Sequence, residues 1–505
     1  MVPSLRTGFS LCLLLAGCLH GAEPHFAIQV VDADTGRGVP LVELETMDNQ
    51  LYVTDSAGRI AFSEPGQMGV PVWFSMRTHG YDVPIDGFGM AGRRFTTTPG
   101  GPVTVKLKRR NIAERIVRLT GMGIYRDSVL LGEKVPLAEP LGCGGVVGQD
   151  SVHAVVYRGR IFWLWGDTMR LSYPLGNFRT VCAWSELPGK GGLPPSQGVN
   201  FRYFTGADGF AKEMCPLERK EGVVWLTGLA VVRDESGAER LIAGYSRRQG
   251  MEKVHEQGIA VFNDEKEIFE RAATLPLNET WRMPHGHSTV VREGGTEYLY
   301  FGDASLGVRV PARLRDVLDP ACYEAWTCGD AGGPRRRADG ALDYAWRKDL
   351  PPIESPKEIG WLKRGLIKPR ECRVTPGDVA TKERVTLHAG TVRWNEYRKR
   401  WVLIAVQTFG KPSFLGEVWY AESEAPTGPW PRAVKVVTHD RYSFYNPAQH
   451  AFFDEEGGRF IYFEGTYSHT FSGNEKRTPR YDYNQMLYRL DLADVRLGEV
   501  EKNSP

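Results

Sequence analysis

Acidic side chains stand next to several apolar segments of this 505-residue sequence. Asp150 precedes one such segment, and Asp167, Asp303 and Glu464 each end another. Two carboxyl groups that flank a bond, one protonated and one ionised, can hydrolyse a glycosidic bond. Apolar surroundings raise the pKa of a carboxyl group, and a general acid at neutral pH needs a raised pKa. We therefore predict that these four residues include the catalytic acids.

Histidines recur at comparable places along the chain. His285, His287, His388 and His450 are four of only 11 histidines, and each stands near the start of an apolar segment. Four imidazoles at equivalent positions predict the polar floor of a pocket. They would bond sugar hydroxyls or, as the alternative, hold a structural cation. The first interpretation is preferred, so no cofactor and no metal ligand are assigned.

A third group of candidates lies near the C-terminus. The run Thr478 to Leu492 includes Arg480, Tyr483 and Asn484. An aromatic face can stack on a sugar ring, and a guanidinium can bind an acidic sugar group through two hydrogen bonds. We predict that these three residues contact a carbohydrate substrate. The alternative is a loop that packs beneath neighbouring strands.

The elements that carry these residues repeat along the chain. A polar or small cluster, an apolar strand, a turn and a second apolar strand recur in five segments: Gly148 to Thr168, Trp225 to Ser246, His285 to Ala304, Leu387 to Thr408, and Asn446 to Thr466. Regular hairpins at such intervals predict an all-β fold with a five-bladed β-propeller. In a blade, the start of the first strand and the end of the second lie on one face. The candidate acids and histidines should therefore converge there.

The first repeat also resembles a known family. GQD at Gly148 to Asp150, followed by WLWGDT at Trp163 to Thr168, is similar to the opening motif of D-arabinanase-type propellers, and the blade pattern resembles family 43 glycoside hydrolases. The resemblance covers roughly 350 residues and implies a glycosidase whose first catalytic aspartate is Asp150. The aspartate that these families carry in blade two has no counterpart here, since Thr227 and Tyr245 occupy those places. A polysaccharide lyase, a sialidase and a non-catalytic glycan-binding protein remain as alternatives.

The N-terminal part follows a different pattern. Alternating apolar residues separated by Asp/Gly turns over residues 24–108 predict a small β-sandwich. The run Thr54 to Ile60 resembles the carboxypeptidase-regulatory-like, transthyretin-like sandwich. Residues 109–140 are predicted to link this unit to the propeller at 141–495, with Arg115 to Tyr125 as a closing outer strand. The insert 305–385 should hold outer strands of blade three and a short helix near Pro311 to Leu318.

The first 22 residues are typical of an export signal. Arg6 precedes an apolar stretch from Phe9 to Ala16. LLAGC, ending at Cys18, resembles a bacterial lipobox, and ordinary cleavage after Ala22 is the alternative. We expect export to the periplasm, the outer membrane or the medium, with a lipid anchor as the only link to a membrane.

Charge and cysteine content exclude other classes. The 63 lysines and arginines nearly balance the 61 acids, which argues against a nucleic-acid partner. The six cysteines after residue 22 show no metal-ligand spacing. They form either buried thiols or a few disulfides, such as one between Cys322 and Cys328. We predict a monomer whose partner is a carbohydrate.

Overall fold

The computed structural model describes residues 24–217, 221–330 and 332–500, with the backbone alone at 499. The predicted export signal and Cys18 lie outside the described residues. The six described cysteines are free thiols. The α-helices of the described part are short, and none has the length and apolar character needed to cross a membrane: α1 (Arg126–Leu130), α2 (Leu314–Val317) and α3 (Ser355–Lys363).

The N-terminal part of the chain forms two four-stranded sheets. Their orders are β4-β1-β8-β6 and β3-β2-β5-β7. Side chains alternate between buried and less buried along the central strand β5, as expected where one face of a sheet packs inward. Both sheets contribute apolar side chains to one core. The strands are β1 (Phe26–Asp32), β2 (Glu43–Thr46), β3 (Leu51–Val53), β4 (Arg59–Phe62), β5 (Pro71–Arg77), β6 (Tyr81–Asp82), β7 (Gly92–Thr96) and β8 (Pro102–Arg109).

The rest of the chain is also built of β-strands. The first of them are β9 (Glu114–Arg118), β10 (Val146–Gln149), β11 (His153–Tyr157), β12 (Arg160–Trp165), β13 (Thr168–Arg170), β14 (Val181–Ser185), β15 (Arg202–Tyr203), β16 (Val223–Arg233), β17 (Glu239–Gln249), β18 (Lys253–Asn263), β19 (Ile268–Thr274), β20 (Thr289–Glu293) and β21 (Thr296–Phe301). The others are β22 (Val308–Pro311), β23 (Glu324–Thr327), β24 (Ala345–Arg347), β25 (Gly377–Asp378), β26 (Leu387–Asn395), β27 (Arg400–Gln407), β28 (Val418–Ser423), β29 (Arg432–Val437), β30 (Ser443–Gln449), β31 (Phe460–Ser468) and β32 (Asn484–Asp491).

Except for β10 and β13, which form a separate two-stranded sheet, these strands belong to five successive sheets, which we number I to V. Their orders are β11-β12-β14-β15, β16-β17-β18-β19, β20-β21-β22-β23-β24, β26-β27-β28-β29 with β25 at the outer edge, and β30-β31-β32-β9. Each of the five repeats contains an antiparallel strand pair at the start of its sheet. The first four predicted hairpins are therefore confirmed. In the fifth, the apolar residues after His450 form a 3-10 helix (Ala451–Phe453) and β30 (Ser443–Gln449) is the first strand, so that His450 follows a strand and Glu464 lies inside β31, contrary to the prediction. The insert supplies the outer strands of sheet III and the helix α2, also as predicted.

Contacts between the sheets run in a cycle. β11 lies against β16, and β26 against β30. Sheets II and III share an apolar core. Between sheets III and IV, the Gly390 amide donates to the Asp303 carbonyl over 2.7 Å. Between sheets V and I, the Ser151 amide donates to the Thr466 hydroxyl over 3.1 Å. Each sheet thus contacts the next, and the fifth contacts the first.

Strand β9 comes from the segment that follows the N-terminal sheets. It pairs antiparallel with β32 and is the outer strand of sheet V. Sheet V therefore combines β9, which precedes all other strands of sheets I to V, with β30, β31 and β32, which follow them. This pairing gives β32 a partner on each side, so β32 has no unpaired edge along the paired residues.

Candidate active site

Asp150 and Asp167 lie side by side because the two short strands next to them in sequence pair with each other. β10 ends at Gln149 and β13 begins at Thr168, and these two residues are opposite each other in an antiparallel pair. The Asp150 amide donates to the Asp167 carbonyl over 3.3 Å, and the Gly166 amide donates to the Asp150 carbonyl over 2.8 Å. A Cβ atom at Gly166 would lie 2.4 Å from Asp150 Oδ1. Glycine at this position therefore leaves the space that the Asp150 carboxyl group occupies.

Hydrogen bonds from tyrosines stabilise the charged form of Asp150. Burial raises the pKa of this carboxyl group to about 6, while hydrogen bonds with Tyr483 and Tyr445 lower it. The Tyr445 hydroxyl donates to Asp150 Oδ2 over 3.1 Å. Burial raises the pKa of Tyr483 beyond its ordinary range, so its hydroxyl keeps its proton and acts as a donor. Asp150 is thus the carboxyl group of the pair that ionises first.

The surroundings of Asp167, in contrast, favour its protonated form. Burial, followed by the charge of Asp150, raises its pKa to about 7, and the polar Trp225 indole nearby lowers it. Its Oδ1 atom is buried and has no hydrogen-bond partner within the described parts of the chain. Because Asp150 ionises first, Asp167 is still largely protonated between about pH 6 and pH 7. The pair can therefore present one carboxylate and one carboxylic acid at the same time.

Strained backbone surrounds this pair. Ser151, Asn446 and Tyr483 have φ angles of 54°, 51° and 62°, in the left-handed region that costs a non-glycine residue about 1–3 kcal/mol. The Asn446 amide donates to the Ser151 hydroxyl over 2.8 Å and holds two of these turns together. Such strain concentrates at functional sites, where the surrounding structure maintains it. The turns next to Asp150 fit this description.

Exposed aromatic side chains lie beside the pair. The Phe471 ring packs edge-on against Tyr445, with centroids 5.8 Å apart, and 60% of Phe471 is exposed. Phe178 is also exposed, and its carbonyl accepts a hydrogen bond of 3.1 Å from the Trp225 indole. Aromatic faces beside carboxyl groups are suited to stacking on sugar rings.

A second group of polar residues forms where sheets III and IV meet. Gly286 and Gly302 form a bridge between the start of the third hairpin and its end, which places His285 beside Asp303. Glu354 joins them from the residue before α3, and one donor atom of each lies within 4.8 Å of the others. Burial lowers the pKa of His388, and the nearby charge of Asp303 raises it by a smaller amount. The sequence analysis did not include Glu354. The only signal for it in the sequence is that it immediately precedes Ser355-Pro356, which begin α3.

His287, His450 and Glu464 lie in the interior. The His287 ring packs against His153 with centroids 4.8 Å apart, and burial lowers its pKa well below the ordinary value. His450 Nε2 lies 2.6 Å from Glu464 Oε1, and the glutamate is only 1% exposed. Among the described residues, no hydrogen bond joins Glu464 to Asp150. The structure thus places Glu464 in a buried pair with a histidine, and its catalytic role stays a prediction.

The C-terminal candidates separate in the structure. Tyr483 contacts the aspartate pair, as described above. Arg480 Nη1 lies 3.7 Å from Asp127 Oδ2 on α1. The buried Asn484 side chain donates to the carbonyls of Val147 and Arg480 over 3.1 and 3.2 Å. Asn484 therefore ties β10 to the start of β32. Substrate contact by Arg480 and Asn484 stays a prediction.

Comparisons with known proteins give only remote similarity. No family model and no curated protein matches the chain. Among solved structures, an exo-β-1,3-galactanase from Phanerochaete chrysosporium matches with a TM-score of 0.37 and 9% identity over 75% of this chain, and the match spans 65% of the galactanase. A glycosyl hydrolase from Bacteroides ovatus matches with a TM-score of 0.35 and 9% identity, over 68% of this chain and 84% of that one. An exo-1,5-α-L-arabinanase from a bovine ruminal metagenomic library gives 0.34 and 8%, over 68% and 93%. These neighbours are glycoside hydrolases, but similarity at this level assigns neither a family nor an activity to the chain.

Proposed function

We propose that this protein is a glycoside hydrolase in which Asp167 is the general acid and Asp150 is the catalytic carboxylate. The observation that carries the proposal is the pair itself. Two neighbouring carboxyl groups have pKa values of about 6 and about 7, and only the lower one is stabilised by tyrosine hydroxyls. Hydrolysis of a glycosidic bond needs one ionised and one protonated carboxyl group at the same pH.

The two residues would have different roles at the same glycosidic bond. Asp167 gives its proton to the glycosidic oxygen, so that the leaving sugar departs as a neutral alcohol. Asp150 either takes a proton from the attacking water or attacks the anomeric carbon itself. Tyr445 and Tyr483 fix the orientation of the Asp150 carboxylate through their hydrogen bonds. The exposed ring of Phe471 is suited to stack on the sugar that occupies the site.

The alternative activities fit the site less well. A lyase that uses tyrosine as its base needs a lowered tyrosine pKa, whereas burial raises the pKa of both Tyr445 and Tyr483. A sialidase needs a cluster of arginines, and no arginine appears among the contacts that shift the pKa values of the aspartates in the described structure. A glycan-binding protein without activity would have no need of a protonated acid next to a carboxylate.

The wider architecture supports the same proposal. We propose that sheets I to V are the blades of a five-bladed β-propeller, because each contacts the next and the fifth contacts the first. The two N-terminal sheets would be the carboxypeptidase-regulatory-like sandwich that the run Thr54 to Ile60 resembles. The apolar N-terminal segment supports export, and a polysaccharide or complex glycan is the proposed substrate.

The decisive experiment is an activity screen with matched variants. The purified protein is incubated with a panel of glycans, and reducing ends and unsaturated products are measured separately. Wild-type protein should release reducing ends without unsaturated sugars, and Asp150→Asn and Asp167→Asn should abolish the release. Asp34→Asn, on the exposed surface of the N-terminal sheets, is the control and should retain full activity. Unsaturated products, or full activity in both site variants, would refute the proposal.

A further inference from the structure

The group formed by His285, Asp303 and Glu354 has the composition of a metal site. One imidazole nitrogen and two carboxylate oxygens come from three separate segments, and they lie within 4.8 Å of one another. Metal-binding sites are commonly built from such mixed nitrogen and oxygen donors. We propose that these three residues bind one divalent transition-metal cation, with Zn²⁺ or Mn²⁺ as the best fit.

Two contacts with residues other than the proposed ligands fix the orientation of the His285 ring. Its Nδ1 atom lies 2.8 Å from the Met283 carbonyl oxygen. A carbonyl oxygen can only accept, so Nδ1 carries a proton, and in the neutral imidazole Nε2 is then the nitrogen that can bind a metal. The edge-on packing of the ring against Phe301, with centroids 5.4 Å apart, restricts its rotation. Metal-binding histidines are held in the same way, by donating the other ring N–H to a carbonyl or carboxylate.

Both carboxylates are exposed, and in the described part of the chain no basic side chain pairs with them directly. Within the described parts of the chain, neither Asp303 nor Glu354 forms a hydrogen bond or an ion pair through its side chain. Lys357 is near enough for its charge to act on Glu354, but its ammonium group donates to the Pro352 carbonyl over 3.2 Å. Two neighbouring carboxylates repel each other, and a divalent cation between them removes that repulsion.

Space for the cation lies beside the donors. A cavity of about 150 Å³ is lined by the two acidic donors, Asp303 and Glu354, together with His388 and Thr408, while His285 lies outside this lining with its donor atom within 4.8 Å of theirs. Since one water takes up about 30 Å³ in the liquid, the cavity can hold a cation with a few waters. Three protein ligands with waters in the open positions suit Zn²⁺ and Mn²⁺, whereas Ca²⁺ takes six to eight oxygen ligands. The nitrogen donor therefore favours a transition metal over Ca²⁺.

Metal binding can be tested without any glycan. Chelator-treated full-length protein is titrated calorimetrically with Zn²⁺, Mn²⁺ and Ca²⁺ in turn, and its Tm is followed in parallel. We expect one bound Zn²⁺ or Mn²⁺ per chain and a rise in Tm on binding. His285→Ala and the double variant Asp303→Asn/Glu354→Gln should each weaken the affinity by at least about 100-fold, because they remove ligands.

Two controls keep this test decisive. Asp349→Asn changes an exposed acid of the same insert and should leave the affinity unchanged. Should the ligand variants fail to fold, pulsed EPR of the Mn²⁺-loaded wild-type protein should show coupling to one imidazole nitrogen. Lack of nitrogen coupling, preference for Ca²⁺, or equal affinity in His285→Ala would overturn the proposal. The proposed metal site does not include Asp150 or Asp167. A failure of metal binding would therefore leave the proposed hydrolase activity standing, and a lack of hydrolase activity would leave the metal site standing.

Discussion

The Asp150 amide donates a hydrogen bond of 3.3 Å to the Asp167 carbonyl. This backbone contact brings together two residues that lie at opposite ends of the first hairpin in the sequence. The pairing of β10 with β13 holds both carboxyl groups at one end of sheet I. Their different surroundings then separate their pKa values, through tyrosine hydrogen bonds on Asp150 and desolvation of Asp167. This relationship leads to the first three predictions.

Replacing either aspartate should remove most of the activity. Asp167→Asn should lower kcat by about 10²–10⁴-fold, because the leaving group would no longer be protonated. KM should change much less, since the amide keeps the shape of the carboxyl group. Steady-state kinetics on the substrate found in the glycan screen provide the measurement. A KM increase with unchanged kcat would assign Asp167 to binding instead of acid catalysis.

The activity should have a narrow bell-shaped pH dependence. The rate should rise as Asp150 loses its proton near pH 6 and fall as Asp167 loses its proton near pH 7. Tyr445→Phe removes a donor that stabilises the charged Asp150, so the acid limb should shift to higher pH. Profiles of kcat/KM against pH test both statements. Tyr442→Phe, whose hydroxyl donates to the Lys476 carbonyl, is the matched control and should leave the limbs in place.

Asp167→Asn should also stabilise the protein at alkaline pH. The pKa of Asp167 is about 7 in the folded chain against an ordinary value of 3.8, so between these values the folded state holds a proton that the unfolded state has released. The free energy of unfolding therefore falls as pH rises through this range. The variant should gain about 1–3 kcal/mol at pH 8 and nothing at pH 4. Thermal unfolding at both pH values gives the comparison, and an equal gain at both would contradict the assignment.

The buried pair of His450 and Glu464 should be important for stability. Removing one partner leaves the other polar group buried without its hydrogen bond, which costs about 1–3 kcal/mol. Glu464→Ala should therefore lower the Tm strongly, and Glu464→Gln, which keeps the hydrogen bond to His450, should lower it less. Turnover of the folded Gln variant decides whether Glu464 also takes part in catalysis. A Tm of Glu464→Ala equal to that of the wild type would contradict the stability role.

The first four hairpins were predictable because their information is local. Alternating apolar residues, Gly-rich turns and polar residues at strand ends are visible within about 20 residues of sequence, and the first four segments form the expected strand pairs. In the fifth, the first strand ends at Gln449, before the apolar residues that were expected to form it. The proximity of Asp150 to Asp167, and of His285 to Asp303, follows from the same hairpin geometry, because each pair lies at the two ends of one hairpin.

Contacts between distant segments could be decided only by the tertiary structure. Tyr445 reaches Asp150 across 295 positions of sequence, and Glu354 joins His285 from the insert. The sequence predicted that Glu464 ends a strand, which is wrong, because β31 continues to Ser468. The packing of sheet V against sheet I places its carboxyl group against His450 in the interior. Strand ends are set by local hydrophobic patterns. The environment that sets a pKa, in contrast, is built from side chains that come together only when the sheets pack.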